Sequence, residues 1–355
     1  MKSKLLALIF TVIFILACQP AALATPIPAS PIPTFTLTWT PSPTPTSAVT
    51  ATPTLIPTLT LTATPTLSPT PTLTATLTPA PAPHASRVLI LSIDGLRPDA
   101  ILAAPMPNLM ALMQTGAYTL NARTIFPSST LPSHASMLMG VCPSKHGVDW
   151  NDYLPENGYA KGTDLFDLAH AAGLQTAMFV GKEKLRQLTE PSSLDVFVYV
   201  NDRDLVLADV LIGNFPQDFG LLFVHFPLVD GMGHVHGWMS PEQLSVAFRA
   251  DEALGLILAE LDARGLRDDT LIIVTADHGG HDTTHGSSRT EDMTIPWIAS
   301  GPGIQPKVLT TPVNTMDTAA TAAFLLGLPI PHEWDGVPVY EAFGLPVERQ
   351  SAPCE

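Results

Sequence analysis

Cysteine is scarce, with three in 355 residues, which rules out a disulfide-dense small scaffold or a cysteine-rich metal ribbon. Long apolar runs are scarce too. The uncharged stretch from Leu5 to Ala17 is too short to cross a bilayer comfortably. Positive charge is sparse: Lys and Arg number 17 against 32 Asp and Glu, for a net charge of -15. That balance argues against a broad nucleic-acid-binding surface, so any recognition of phosphate must be local. Between residues 19 and 84 charge disappears altogether and Pro, Thr, Ala, Leu and Ser dominate. Such a segment builds no packed core. Frequent proline removes backbone donors and favours polyproline II, so residues 19–85 are expected to form a disordered, semi-rigid tether reaching roughly 200 Å.

What precedes the tether is ordered like a secretory signal: basic Met1-Lys2-Ser3-Lys4, then the apolar run. Residues 1–18 end in Ile15-Leu16-Ala17-Cys18, which resembles a bacterial lipobox and would make Cys18 a lipidated membrane anchor. Ala22-Leu23-Ala24 offers a rival cleavage site that would release a soluble, secreted protein. Both outcomes are extracytoplasmic, where disulfides are permitted. Cys142 and Cys354 are therefore read either as a bridge or as two free thiols.

The folded part is expected over residues 86–343, with a C-terminal tail at 344–355. Arg87 to Ile93 is a short continuous apolar run ended by Asp94-Gly95, as in a strand buried on both faces. Similar runs cover 176–180, 220–226 and 270–275, with helical patterns near 105–114, 164–172, 202–213 and 241–264. The last begins with Ser240 as a cap, Pro241 at the first helical position and Gln243 where a capping box wants an amide. Strands alternating with helices predict an α/β fold with a mainly parallel central sheet flanked by helices on both faces. Ligands in such folds gather at the carboxyl ends of strands.

The strand ends carry Asp94, Asp230 and Asp277-His278, with His234 four residues after Asp230 and His285 just beyond. A strand-end Asp taken singly is often a turn former, and a lone His is often structural. Six together point to metal chemistry. Three carboxylates with three imidazoles suit a borderline divalent ion such as Zn²⁺ better than Ca²⁺, which prefers oxygen. His236 and His281 lie close by and are assigned supporting roles. A hydroxyl nucleophile is available at Thr130, just ahead of a predicted helix N-terminus that favours negative charge, and metal coordination can lower the pKa of such an oxygen acid by several units. A Ser/Thr-rich capping loop would also account for Ser128, Ser129 and Ser133.

These residues resemble the alkaline phosphatase superfamily, most closely its branch of type I phosphodiesterases and nucleotide pyrophosphatases, over nearly all of residues 86–342. Ile93-Asp94-Gly95 is similar to the first metal motif of that family, and Thr130-Leu131-Pro132-Ser133-His134 to its nucleophile motif. Asp230 with His234, Asp277-His278-Gly279 and His285-Gly286 follow its ligand order, and Cys142 to Val148 with Asn151 also looks familial. The resemblance implies two divalent metal ions, one held by Asp230, His234 and His285, the other by Asp94, Asp277, His278 and Thr130. It further implies Thr130 as nucleophile, a phospho-threonine intermediate and a small phosphorylated substrate near Ser133, Leu131 and Asn151. Two departures stand out. Ser133 replaces a longer Asn, and Leu131 replaces an aromatic ring that stacks on a base, which puts nucleotide preference in doubt. Trp150 and Tyr153 are read as surface or core residues rather than stacking partners.

Three carboxylates and an alkoxide against two divalent ions leave a site near neutrality, which suits a singly charged diester. A phosphomonoesterase is the second reading, with Arg289 and Lys145 as the candidates for a phosphate clamp. A sulfatase is disfavoured, because Thr130 cannot become formylglycine. A surface binding protein on a dead enzyme scaffold is disfavoured by the full ligand set.

Overall fold

The computed structural model describes residues 84–354. The signal expected at 1–18 and nearly all of the tether expected at 19–85 lie outside them. Among the described residues no helix is long and apolar enough to cross a membrane.

The strands are β1 (Arg87–Ile93), β2 (Ala117–Arg123), β3 (Gln175–Val180), β4 (Val196–Tyr199), β5 (Phe219–Phe226), β6 (Thr270–Thr275), β7 (Thr294–Ser300) and β8 (Lys307–Val308). They form one sheet in the order β4-β3-β5-β1-β6-β7-β2-β8. From β4 to β6 every pairing is parallel. β7 runs antiparallel to both β6 and β2, and β8 returns parallel to β2. The sheet is thus mixed and mostly parallel. The helices are α1 (Pro98–Ala103), α2 (Pro107–Thr115), α3 (Thr130–Met139), α4 (Pro143–His146), α5 (Leu165–Ala171), α6 (Asp204–Gly213), α7 (Leu228–His236), α8 (Pro241–Ala263), α9 (Thr290–Met293) and α10 (Asp317–Leu325).

All of β5 and β6 is buried, which requires cover on both faces of the sheet. One helical group gathers α1, α2, α6 and α7 around α8, and a second joins α3 and α5 to α10. The start of α8 follows its sequence signal. The Gln243 N–H donates to Ser240 Oγ at 3.2 Å, and Pro241 opens the helix. Gln243 Oε1 accepts from the N–H of Met239 at 2.6 Å, one residue before the cap, while its Nε2 donates to the Val229 carbonyl at 3.2 Å. The residue chosen for capping therefore also ties α8 to α7.

Packing begins slightly earlier than expected: Ala85 is buried and its N–H donates to the Leu325 carbonyl at 3.1 Å. Cys142 and Cys354 form a disulfide. Ser351 Oγ donates to Asp317 Oδ2 at 2.8 Å and accepts from Asn314 Nδ2 at 2.7 Å. The segment after Phe343 is fastened to the domain rather than trailing from it.

Candidate active site

The order β5-β1-β6 sets three neighbouring parallel strands with their carboxyl ends at one edge. Asp94 follows β1 directly, and its N–H donates to the Phe226 carbonyl at 3.0 Å. Asp277 and His278 follow β6 after one residue. Asp230 corrects the sequence reading, because β5 stops at Phe226 and the chain turns at Pro227 into α7. Asp230 occupies the first turn of that helix instead of a strand end. Its placement there puts His234 one helical turn away on the same face.

Gly95 makes this meeting possible. Its φ is +73°, and a Cβ there would lie 3.0 Å from the Asp230 Cα. The Gly95 N–H donates to Asp277 Oδ1 at 3.1 Å, so this one residue touches all three strand connections.

Each of the three buried carboxylates has one oxygen engaged and one left over. Asp277 Oδ1 accepts from the N–H groups of Gly95 and His278, and its Oδ2 has no hydrogen-bond partner. Asp94 Oδ2 accepts from His225 Nε2 at 2.8 Å and from Lys182 Nζ at 2.7 Å; its Oδ1 is unpartnered. Asp230 Oδ2 accepts from Lys182 Nζ at 2.6 Å, again leaving Oδ1 unpartnered. Unmatched buried carboxylate oxygens are costly unless something else occupies them.

The free oxygens face imidazole nitrogens at separations too long for good hydrogen bonds. Asp230 Oδ1 is 3.4 Å from His234 Nε2 and 3.6 Å from His285 Nε2. His278 Nε2 is 3.5 Å from Asp94 Oδ1 and 3.3 Å from Asp277 Oδ2. Ligand atoms about 2.0–2.1 Å from a tetrahedral ion are themselves about 3.3–3.4 Å apart, so the spacing fits a divalent cation. Among the described residues two groups bring one ligand atom from each member within 4.8 Å of the others, Asp230 with His234 and His285, and Asp94 with Asp230 and His278.

The imidazoles are oriented for that task. His234 Nδ1 meets the Thr283 carbonyl at 3.0 Å, His285 Nδ1 the Ser128 carbonyl at 2.8 Å, and His278 Nδ1 the Gly279 carbonyl at 2.7 Å. A carbonyl only accepts, so each ring carries a proton on Nδ1, which in the neutral ring turns the Nε2 lone pair inward; Asp230 raises the pKa of the more exposed His234. Burial pushes the His278 and His285 pKa values down, the latter to about 4, which keeps both neutral at pH 7. His225 has the opposite tautomer, with Nε2 donating to Asp94 and Nδ1 near the Gly181 N–H. It holds a carboxylate and offers no inward lone pair.

Thr130 is the first residue of α3, and its hydroxyl lies 3.5 Å from His278 Nε2 and 3.4 Å from Lys182 Nζ. Lys182 is the residue that sequence reasoning missed. It follows β3 and Gly181, so the strand-end rule that exposed the aspartates would have found it. Gly181 is required there, since a Cβ would meet the Pro227 ring at 2.2 Å. Burial favours the neutral forms of Asp94 and Asp230, but Lys182, aided by His225 at the first and His234 at the second, holds both below the ordinary carboxylate range. Asp277, farther from that ammonium, is pushed up to about 7 by burial and by Asp94.

The expected substrate contacts divide. Asn151 is beside Thr130, its Oδ1 accepting the Leu131 N–H at 2.9 Å. The Leu131 side chain itself is in the hydrophobic core. The buried Ser133 hydroxyl is 3.2 Å from that of Thr124, which in turn donates to the Asp277 carbonyl. Both side chains support the site from beneath. Lys145 pairs with Asp335 next to the disulfide, and Arg289 lies 3.8 Å from Asp282 and Glu291. Neither clamp candidate touches the ligand groups. His281 holds Asp292, which accepts from the Ser287 N–H and steadies the loop carrying His285. His236 is exposed. Trp150 is half-buried against the core, with Nε1 3.4 Å from Gln187 Oε1, and Tyr153 is at the surface.

Residues 88–295 match the family model described as type I phosphodiesterase / nucleotide pyrophosphatase. The chain belongs to that family. An uncharacterized pyrophosphatase/phosphodiesterase of Schizosaccharomyces pombe is 27% identical over an alignment of 219 residues that covers 55% of this chain and 44% of the relative. The chain thus spans less than half the length of that curated relative. Murine ectonucleotide pyrophosphatase/phosphodiesterase 5, solved as an inactive form in complex with AMP, superposes with a TM-score of 0.62 at 17% identity, over 70% of this chain and 96% of that one. A phosphonate monoester hydrolase from Silicibacter pomeroyi gives 0.59 at 19% identity, over 75% of this chain and 78% of its own. At such identities the superpositions establish the fold. The type I phosphodiesterase/nucleotide pyrophosphatase domain here has an alkaline-phosphatase-like fold, and its two Asp/His groups are candidate sites for metal ions.

Proposed function

We propose that the chain is an extracytoplasmic phosphoryl-ester hydrolase in which Thr130 is the nucleophile and two divalent ions, Zn²⁺ by the donor set, are held by Asp94, Asp230, His234, Asp277, His278 and His285. The observation that carries this reading is the position of Thr130 Oγ1 at a helix N-terminus, between His278 Nε2 and Lys182 Nζ, where the two ligand groups meet. The cations, when bound, supply Lewis-acid charge at the attacking and leaving oxygens and lower the pKa of the threonine hydroxyl.

The protein's own groups perform the rest. Thr130 Oγ1, its proton given up to solvent, bonds to phosphorus in line as the bond to the leaving oxygen breaks and that oxygen takes up a proton; water then cleaves the phospho-threonine, restoring the hydroxyl and releasing phosphate from a monoester or a monoester from a diester. Lys182 holds the Oδ2 atoms of Asp94 and Asp230, leaving Oδ1 of each to its ligand group, and its ammonium lies close to the nucleophile. Asn151, with its Oδ1 occupied, has its Nδ2 hydrogens for a phosphoryl oxygen. The disulfide supports an oxidising compartment, in accord with the secretory or lipidated N-terminus read in the sequence.

One observation favours the second ester class. The near-neutral charge count that pointed to diesters omitted Lys182, whose ammonium adds a positive charge at 3.4 Å from Thr130 Oγ1. A site with that excess suits a dianionic monoester or terminal phosphoryl group better than a singly charged diester. The test is turnover of matched aryl phosphodiester and phosphomonoester substrates by zinc-loaded protein and by Thr130→Ala, with acid-quenched mass spectrometry for phospho-threonine. Undiminished turnover by the variant would remove Thr130 as nucleophile, and a faster diester rate would remove the monoester preference.

A further inference from the structure

Lys184 sits two residues beyond Lys182 on the short 3-10 helix Glu183–Gln187. Its ammonium is in an unusual position for a lysine. Nζ contacts only the carbonyl of Asn151, at 2.9 Å, and the Oδ1 of the same residue, at 3.0 Å. Among the described residues it has no carboxylate partner, although the chain carries a net charge of -15. It is half-buried, and burial followed by the charge of Lys182 lowers its pKa. The two ammonium groups repel, and the carboxylates that offset them, Asp94 and Asp230, are bonded to Lys182 and not to Lys184.

The path from this ammonium to the chemistry is short. Asn151 Oδ1 accepts both Lys184 Nζ and the Leu131 N–H, and Leu131 directly follows Thr130. Lys182 is fully engaged by Asp94 and Asp230, which leaves Lys184 as the cation free to meet a ligand. We propose that Lys184 is a specificity residue that binds a second anionic group of the substrate, next to the phosphoryl group attacked by Thr130. The substrate class is accordingly phosphoryl compounds with another anionic group a few bonds from the reacting phosphorus. This rests on the phosphohydrolase reading above and adds to it a subsite and a charge requirement.

The competing explanation is that Lys184 only orients Asn151, and the two differ in what they do to ligands with a single anionic group. Binding is measured by calorimetry on zinc-loaded Thr130→Ala protein, which retains ligand without turning it over. The probes are ethylphosphonate, with one anionic group, and methylenediphosphonate and 3-phosphonopropionate, each with a second, against blanks with free zinc. In the presence of Lys184 the second group is expected to tighten binding on the order of 10- to 100-fold. Lys184→Met should abolish that increment while weakening ethylphosphonate far less, and Lys184→Arg should preserve it. Whichever of the two probes gains more identifies the second group as phosphoryl or carboxylate.

Equal weakening of all three probes by Lys184→Met would make Lys184 a positioning residue for Asn151 and overturn the proposal. No advantage for the second anion in the parent would overturn it as well. If Lys184→Met fails to fold, Lys184→Gln against Lys184→Arg carries the same comparison. Failure of every probe to bind, together with no zinc uptake, would sink the phosphohydrolase reading itself; ethylphosphonate binding without any Lys184 effect would sink only this inference.

Discussion

Lys182 Nζ lies 2.6 Å from Asp230 Oδ2, on an ammonium that also reaches Asp94. One cation therefore stands between carboxylates from two different connections of the sheet. Without a metal, that ammonium is the main compensation for buried negative charge, and removing it leaves uncompensated ions at a cost of about 3–5 kcal/mol. With divalent ions bound, the same carboxylates have stronger partners. Lys182→Met is expected to lower the melting temperature much more in EDTA than in zinc, as read by scanning calorimetry. An equal drop in both conditions would mean that Lys182 contributes packing alone.

Asp230 takes part in both metal-ligand groups, whereas His234 belongs to one. Zinc titration with stoichiometry by elemental analysis separates them. His234→Ala should weaken one of two ions by at least roughly 10- to 100-fold, the loss typical of residues that only support a ligand, and leave the other near its parent affinity. Asp230→Asn should weaken both. If Asp230→Asn affects only one ion, the site divides as the family resemblance implied, with Asp230 serving a single metal.

Legibility in the sequence followed burial. β1 and β6 are continuous apolar runs, so their ends, Asp94 and Asp277-His278, were read correctly from the residues. β2 is half-exposed, burying Ala117 and Thr119 and then, across a register shift, Ala122, and β7 contains Pro296, which lacks a ladder donor. Neither gave a clear strand signal, which hid the two antiparallel pairings of the sheet. Asp230 was assigned to a strand end because Leu228 and Val229 extend the apolar run past Pro227, where the helix in fact begins. Lys182 escaped because Gly181-Lys182 reads as an ordinary turn, although it follows a recognised strand to which the same strand-end rule applies; the adjacency of β3 to β5 brings it to the aspartates. Cys142 and Cys354 could be paired only by the fold.

That disulfide closes a sequence separation of 212 residues, and the chain between its ends includes most of the sheet. Cross-links over long loops restrict the unfolded chain, with typical contributions of about 2–4 kcal/mol. Cys354→Ser is expected to lower the melting temperature by roughly 5–15 °C and to make it insensitive to dithiothreitol, while kcat/KM at 25 °C stays close to the parent value. A variant that melts with the oxidised parent would show that Ser351 and its bonds to Asp317 and Asn314 hold the C-terminal segment without the cross-link.

Asp164 supplies a pH test away from the metal site. It caps α5, with Oδ1 accepting the Asp167 N–H at 2.9 Å, and burial, reinforced by the charge of Asp167, raises its pKa to about 7. The unfolded value is near 3.9, so between these limits the folded state binds a proton that the unfolded state releases. Stability must then fall as pH rises from about 4 to about 7, by at most about 2–4 kcal/mol from this group. Asp164→Asn keeps an acceptor for the cap and removes the titration. Asp204 and Asp317 are also raised, to about 7 and about 6, so the informative quantity is the difference between parent and variant. In urea unfolding of zinc-saturated protein, the variant should gain on the parent as pH goes from 5 to 8. A constant difference over that range would mean that Asp164 is already ionised in the folded state at pH 5, stabilised by its backbone donors more strongly than burial opposes it.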